Sequence, residues 1–517
     1  MADTQKILSA ARSNWWLNAL GLALSFCAGV VLVRTLTQDL YAQYQTVVAM
    51  IWFCTLIFDA GGNSGLTRYL AEAGRSEARG SFYRSLQRRR WLIALGLSVV
   101  VIAFGPWYAE WQAETTTPDL SLAGRSRATE LASLADEPFL FVMIAAIVVS
   151  GLTRGLAHYG MVALFETRRA LLWEQAFLVS RSALLAVIAL CGGGLWALVV
   201  GLLAINVVEA ISADVRLMRF IGQERAPLPV GMLNKAQGFG LLTIFDKACA
   251  GLGSGPALLL LLRPFHPLAE LAVLALAVEL TSKLISLTVM PMSNLVAPYL
   301  SQAPDDPAAQ ARAIGWVVKC SSLLYCFSIG AGLLLAREFV PLVYGAAYAD
   351  AAVFTLALLA PIAFENWVRG VASPALLRNG RGRALAALNV LQASVTLGAI
   401  WLVHEAPLLT AVTVVVTARA VVASLSLLLL APLVAPGAFR VPLQAALLAA
   451  CAAGPWLLLE PLPLPALARL LVQGSAFALA YYLGLRWVVL RDGDMLRLAH
   501  RLAGRGAASR LLPPLPC

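Results

Sequence analysis

Stretches of about twenty predominantly apolar residues recur along the whole chain, separated by short polar segments. A helix needs about twenty residues to cross the hydrocarbon core of a bilayer, and only helices and closed barrels cross it. The sequence therefore predicts an all-α polytopic membrane protein with about fourteen transmembrane helices. The predicted spans are 17–33, 44–58, 91–107, 139–164, 170–190, 195–217, 239–262, 268–300, 314–336, 351–371, 385–403, 408–430, 445–459 and 466–490.

The composition excludes an ordinary soluble protein. Of the 517 residues, 60% are hydrophobic and 13% are charged, whereas a soluble domain has about 25% charged residues. The net charge of +11 would suit a nucleic-acid-binding protein if the basic residues shared one soluble surface. They lie instead in short segments between apolar spans, which is typical of membrane topology. We therefore expect the lipid bilayer, and no nucleic acid, as a partner.

The charges between the spans predict the orientation of the chain. The segment between the second and third spans is basic, whereas the segment between the third and fourth spans is mainly acidic. Basic segments stay in the cytoplasm, so the alternation of basic and acidic segments predicts an even number of spans with both termini cytoplasmic. The basic residues of the first of these segments are Arg68, Arg75, Arg79, Arg84, Arg88, Arg89 and Arg90.

A weak internal repeat predicts how the spans are grouped. The segment ETRRALLWEQAFLVSRSALLAV, between spans four and five, is similar to LRNGRGRALAALNVLQASVTLGAI, six spans later. An even spacing gives both copies the same orientation, as in transporters with parallel repeats. We therefore expect one six-helix lobe in residues 1–218, a second in residues 219–434, and two further helices with a basic cytoplasmic tail in residues 435–517.

Several charges lie in the middle of apolar spans. Asp246 and Lys247 in span seven, and Glu279 and Lys283 in span eight, are each about ten residues from a polar flank, which places them near a bilayer midplane. Charges at this depth are costly and usually face a bundle interior or a watery cavity. These four residues are therefore candidate site residues.

Local pairing is the alternative explanation for some of these charges. Glu279 and Lys283 are four residues apart, so they share a helix face and can neutralise each other. Arg181 and Arg419 have no carboxylate within four residues, and each needs a distant partner, water or an anionic substrate. For Arg154, Glu365 and Arg369, which are nearer the cytoplasmic ends of their spans, structural pairing or snorkelling is favoured. Glu209 is a further charge within a span, and Asp59, at a span end, is expected at the membrane interface.

No catalytic motif is present in the sequence. It contains no Walker loop, no HExxH and no nucleophile elbow, and its four histidines and eight cysteines are too scattered for a metal site or a disulfide framework. We therefore expect a protein that is not an enzyme and has no cofactor. If the chain is a transporter, the lack of an ATP site means that transport would be driven by a gradient of a coupling cation, Na⁺ or H⁺, or by the concentration difference of the substrate itself.

Two regions of the chain resemble a known family. Residues 6–74, which begin KILSAARSNWWLNALGLALS, are similar to the opening of bacterial polysaccharide-type flippases in the multidrug/oligosaccharidyl-lipid/polysaccharide (MOP) exporter superfamily. The segments REFVPLVYGAAYADAAVFTLALLAPIAF and ALLRNGRGRALAALNVL resemble the second lobe of these proteins. The resemblance implies a MATE-like fold of two six-helix lobes plus two helices, located in the bacterial cytoplasmic membrane. It also implies an alternating-access cavity and export of a polyprenyl-diphosphate-linked oligosaccharide, beside a polysaccharide polymerase or glycosyltransferases.

The predicted charges suit this substrate, because a diphosphate needs cationic partners inside a cavity of low dielectric constant. Lys247, Lys283, Arg181 and Arg419 are the predicted partners, with Asp246 and Glu279 beside them. A cation-coupled multidrug exporter is one alternative, but the first span lacks the acidic residue typical of that group. A peptidoglycan-precursor flippase is a second, but the first span also lacks the arginine–glycine signature of that group. A non-transporting scaffold of a polysaccharide assembly complex is another, and it predicts charges that are paired locally and can be replaced together.

Overall fold

The computed structural model describes residues 2–59, 62–74, 77–116, 138–164, 166–221, 226–288, 306–458 and 464–491. Within these residues the regular elements are α-helices and short 3₁₀ turns, with no strand. The predicted all-α fold class is confirmed. The α-helices are α1 (Ala2–Thr35), α2 (Gln38–Phe58), α3 (Gly62–Gly74), α4 (Arg79–Thr116), α5 (Pro138–Ala163), α6 (Thr167–Leu190), α7 (Leu195–Ile221), α8 (Met232–Leu252), α9 (Gly255–Leu262), α10 (Leu268–Thr288), α11 (Pro307–Tyr344), α12 (Ala351–Arg378), α13 (Gly382–Val403), α14 (Leu408–Leu430), α15 (Arg440–Leu458) and α16 (Ala466–Arg491).

Most of these helices have the properties of membrane spans. In the described part of the chain, 11 helices are long and apolar enough to cross a membrane, so the chain is a multi-pass membrane protein. The other predicted spans coincide with α8 and α9 together, with α10 and with α15. Part of the predicted span 268–300 lies beyond α10, outside the described residues.

A break in the seventh predicted span separates α8 from α9. Pro256 and the preceding Gly251, Gly253 and Gly255 favour a bend at this point of the sequence. In the structure one helix ends here and another begins. Ser254 is the N-cap of α9, and its Oγ accepts a hydrogen bond from the N–H of Ala257 at 3.3 Å. Proline follows in the first turn, where its missing N–H costs no helical hydrogen bond. By contrast, α12 continues through Pro361, and Pro291 lies outside the described residues.

The basic segment between the second and third predicted spans, which hydropathy predicts to be a loop, is mostly helical in its described residues. It forms α3 and the first turns of α4. Leu66 and Leu70 of α3 pack in one buried cluster with Phe82 and Tyr83 of α4 and with Leu156 of α5. The segment is helical because one face of α3 is apolar and finds partners, although its overall composition is polar.

The chain divides into two compact units. The first unit consists of Leu17–Ala275 and Ile400–Leu408, and the second of Met1–Trp16, Leu276–Ala399 and Leu409–Cys517. The lobe limits predicted from the repeat, 1–218, 219–434 and 435–517, stay predictions.

Within the second unit, α11 is the central helix and packs against α12, α15 and α16. Phe477 and Tyr481 of α16 lie against Phe327 of α11, with ring centroids 5.6 and 5.5 Å apart. The Tyr481 hydroxyl also donates to the carbonyl of Leu323 at 2.7 Å. The last helix is therefore packed on α11 through a cluster of aromatic side chains.

Candidate functional site

Glu279 and Lys283 form the ion pair that their spacing predicted. Both lie on α10, one turn apart, and the Lys283 Nζ is 2.6 Å from the Glu279 Oε1. Their side chains are 29% and 20% exposed, so the pair is half-buried. The local pairing is confirmed.

This pairing predicts the result of exchanging the two charges. Each single change, Glu279→Lys or Lys283→Glu, puts two like charges one turn apart and should lower the transport activity that the sequence resemblance implies. The double variant restores the pair and should recover most of it, with a small loss because Glu placed before Lys is the better order on a helix. Transport is to be compared at matched membrane levels of the four proteins. A double variant as inactive as the worse single variant would mean that one of these charges binds something else.

Asp246 and Lys247 lie on α8, six and five residues before its end. Their side chains lie outside the described residues, so their roles stay predictions.

Arg181 has a carboxylate partner on another helix. Nη2 of Arg181 on α6 donates to Oε2 of Glu209 on α7 at 2.7 Å. Nη1 of Arg154 on α5 donates to the same oxygen at 3.0 Å. Three helices of the first unit thus bring two guanidinium groups to one carboxylate, and we call these residues the first triad.

The first triad has an excess of positive charge, and its arginines are more exposed than its glutamate. Two guanidinium charges face one carboxylate, which leaves one positive charge without a counterion within the triad. The Glu209 side chain is 4% exposed, whereas those of Arg154 and Arg181 are 33% and 24% exposed. Nε of Arg181 is buried without a hydrogen-bond partner in the described part of the chain. The arrangement can therefore accept an anion from the side of the arginines.

Arg419 also has a carboxylate partner, in the second unit. Nη2 of Arg419 on α14 donates to both oxygens of Glu365 on α12, at 2.8 and 2.7 Å. Nε of Arg369, one turn after Glu365, is 3.3 Å from the same carboxylate, and its Nη2 donates to Oε1 of Gln392 on α13. We call Glu365, Arg369 and Arg419 the second triad. The side chains of Arg419 and Glu365 are 4% and 6% exposed, so this pair is closed to solvent.

The two triads lie at corresponding places in the predicted repeat. The first uses α5, α6 and α7, which are spans four to six, and the second uses α12 and α14, with Gln392 on α13, which are spans ten to twelve. The two triads differ in which helix carries which charge: α7, the sixth span, carries the carboxylate, whereas α14, the twelfth span, carries an arginine. Both copies nevertheless place two arginines around one glutamate.

A further buried ion pair was not predicted from the sequence. Nη2 of Arg90 on α4 donates to Oδ1 of Asp59, and Nη1 donates to Oδ1 of Asn63 on α3 at 2.8 Å. Asp59 was expected at a membrane interface, but it is 6% exposed and is the C-cap residue of α2. A carboxylate is unfavourable at this end of a helix dipole, and this was the one signal that it needed a cation.

The middle of the chain matches the model of a known protein family. Residues 128–353 match the family model described as polysaccharide biosynthesis protein. This range includes the first triad and α10, with Glu279 and Lys283. A search of curated protein sequences finds no match.

Solved structures match nearly the whole fold. The lipid II flippase MurJ in an inward closed conformation aligns with a TM-score of 0.67 and 13% identity, covering 92% of this chain and 97% of that chain. The eukaryotic MATE transporter AtDTX14 aligns with a TM-score of 0.55 and 15% identity, covering 87% and 99%. A MOP-superfamily transporter from Pyrococcus furiosus aligns with a TM-score of 0.54 and 13% identity, covering 84% and 96%.

The fold therefore defines the class of the protein, which is a multi-pass membrane protein with the fold of MOP-superfamily transporters. The resemblance that the sequence predicted is confirmed by this fold and by the match to the polysaccharide biosynthesis family over residues 128–353.

Proposed function

We propose that the protein is a flippase that moves a polyprenyl-diphosphate-linked oligosaccharide across the bacterial cytoplasmic membrane for surface polysaccharide biosynthesis. It works by alternating access through a cationic cavity, with both termini in the cytoplasm and with Na⁺ or H⁺ as the coupling cation. A polysaccharide polymerase or glycosyltransferases supply or consume the glycan. No step requires the protein to act as an enzyme.

The first triad is the observation that carries this proposal. A diphosphate is the charged group common to all polyprenyl-diphosphate substrates, and guanidinium groups bind phosphate oxygens through paired, charge-assisted hydrogen bonds. Arg181, a predicted site residue, has Arg154 beside it, and both are partly exposed in an apolar helix bundle. The match of residues 128–353 to polysaccharide biosynthesis proteins supports the same substrate class.

The other predicted site residues differ in how readily they could bind the substrate. Lys247 remains a candidate phosphate ligand, with Asp246 beside it. Lys283 is held by Glu279 at 2.6 Å, and Arg419 is held by Glu365. These two cations would reach a substrate only after their carboxylates release them. As candidate phosphate ligands we therefore rank them below Arg181 and Lys247.

A multidrug exporter is the second candidate, since the MATE transporter AtDTX14 shares the fold. An excess of arginine over carboxylate in the first triad favours an anionic substrate over a cationic drug. A non-transporting scaffold would fit the closed Glu365–Arg419 pair, but it gives no reason for the partly exposed arginines of the first triad.

Deleting the gene in its native host tests the proposal. We expect lipid-linked oligosaccharide to accumulate in the cytoplasmic leaflet and surface polysaccharide to disappear, with drug resistance unchanged. Wild-type protein should restore the polysaccharide, whereas Arg181→Ala and Lys247→Ala should restore less of it at equal membrane levels. The proposal would be contradicted if surface polysaccharide were unchanged after the deletion. It would also be contradicted if four single variants each restored the polysaccharide fully: Lys247→Ala, Lys283→Ala, Arg181→Ala and Arg419→Ala.

A further inference from the structure

One oxygen of Glu209 binds both arginines of the first triad. Oε2 accepts from Nη2 of Arg181 at 2.7 Å and from Nη1 of Arg154 at 3.0 Å. Two guanidinium groups that meet at a single oxygen repel each other, and the repulsion is stronger where water is scarce. The carboxylate is therefore the counterion that holds the two cations together in this conformation.

We propose that Glu209 is an exchangeable counterion that occupies the place of a substrate phosphate, and that the diphosphate of the lipid-linked glycan displaces it from Arg154 and Arg181. This inference rests on the proposed function and adds a role for two residues, Glu209 and Arg154, that the sequence did not assign to substrate binding. Glu209 then favours release of the substrate, because it takes the arginines back when the diphosphate leaves.

The donors of the two arginines leave room for this exchange. A guanidinium has five N–H donors, and Glu209 uses one nitrogen of each arginine. Nε of Arg181 is buried and has no hydrogen-bond partner among the described residues, so it can gain one only when the side chain turns. Each arginine can therefore turn toward a phosphate and form the paired contacts that one shared carboxylate oxygen does not provide.

The exposure of the triad sets the direction of approach. Glu209 is 4% exposed, whereas Arg154 and Arg181 are 33% and 24% exposed. A ligand therefore reaches the two cations more readily than it reaches the carboxylate. The charge balance also favours exchange, since the triad carries an excess positive charge that Glu209 alone leaves uncompensated and a diphosphate neutralises.

The second triad is built differently. There, one nitrogen of Arg419 contacts both oxygens of Glu365, and both side chains are closed to solvent. Neither side chain of this pair is accessible to an incoming anion. We infer that Glu365 positions α12 against α14 and that only the glutamate of the first triad exchanges with a ligand.

This role makes opposite predictions for affinity and for transport. Removing the charge of Glu209 removes the competitor for the arginines, so a bound diphosphate should be held more tightly and released more slowly. A glutamate that only supports the structure would lower affinity and transport together when it is replaced.

The test uses full-length protein in lipid nanodiscs, with undecaprenyl diphosphate as the probe and undecaprenol as the uncharged reference. For Glu209→Gln we expect the Kd of the diphosphate to fall about tenfold and the flipping rate to fall also. Arg154→Ala and Arg181→Ala should each raise the Kd about tenfold. The matched control is Glu174→Gln, which removes the same charge from an exposed position on α6 and should change the Kd by less than about twofold.

Each outcome separates this inference from the proposed function. If wild-type protein binds the diphosphate no better than undecaprenol and does not flip it, the proposed function fails and this inference fails with it. If wild-type protein flips the lipid but Glu209→Gln binds it equally or more weakly, only the inference is wrong. If Glu209→Gln does not fold, Glu209→Asp replaces it in the binding test. The shorter side chain of aspartate competes less for the arginines and should lower the Kd about threefold. An unchanged or higher Kd for this variant overturns the inference.

Discussion

Replacing Glu365 with alanine should lower the free energy of unfolding by about 3 to 5 kcal/mol, because Arg419 would stay buried without its carboxylate. Arg419 is 3% exposed and Glu365 is 5% exposed. The two residues are 54 positions apart and connect α12 with α14. Removing one partner of such a pair is far more costly than removing both, since the remaining charge has no water to stabilise it.

Unfolding of the detergent-purified protein by heat and by denaturant measures this loss. The control is Glu166→Gln, which breaks the contact of Glu166 with Arg169, a pair 3.4 Å apart whose side chains are 35% and 61% exposed. Such an exposed pair contributes about 0 to 1 kcal/mol. The double variant Glu365→Gln with Arg419→Met removes both charges and should be more stable than Glu365→Ala. A loss for Glu365→Ala no larger than that of the control would mean that the buried pair is absent in the folded protein.

Replacing Arg90 with alanine should have an effect of similar size, about 3 to 5 kcal/mol. The change leaves Asp59 buried at the C-terminal end of α2, where the helix dipole also disfavours a negative charge. It also removes the hydrogen bond to Asn63, so the junction of α2, α3 and α4 loses its central polar contact. Asp59→Asn should cost less than Arg90→Ala, because the amide still accepts a hydrogen bond from Arg90.

Arg88→Ala is the matched control for this prediction. Arg88 lies on the same helix, two residues away, and is exposed, so its loss should change the unfolding free energy by less than about 0.5 kcal/mol. Limited proteolysis of both variants shows where the structure opens, and we expect new cleavage near α3 only for Arg90→Ala. Equal stability of the two variants would show that Arg90 is not buried with Asp59.

The spans of this fold follow from hydropathy, because burial in lipid demands long apolar helices wherever the chain crosses the bilayer. Hydropathy does not predict helices that are polar overall, so it predicts a loop where the structure has α3 and the start of α4. Their helical form depends on the packing of Leu66 and Leu70 against Phe82 and Leu156, which a local reading of composition does not include.

The candidate site shows a similar limit. Because no carboxylate lies within one turn, the sequence predicts that Arg181 and Arg419 each need a distant partner, water or an anionic substrate. It also places Glu209 and Glu365 among the charges in or near the spans. It did not predict which carboxylate meets which arginine, since that depends on how α6, α7, α12 and α14 rotate and pack. The pair Glu279–Lys283 was predictable because both residues lie on one helix.

Flipping by purified protein in proteoliposomes tests the central claim most directly. The liposomes carry a fluorescent polyprenyl-diphosphate-linked oligosaccharide in both leaflets, and a membrane-impermeant reductant destroys the fluorescence of the outer leaflet. With the protein present, we predict that lipid from the inner leaflet also becomes accessible, and that Arg154→Ala and Arg181→Ala slow this second phase. In liposomes without protein, the loss of fluorescence stops once the outer leaflet is reduced. The same result with the protein present, under every gradient of Na⁺ or H⁺ applied, would contradict the account.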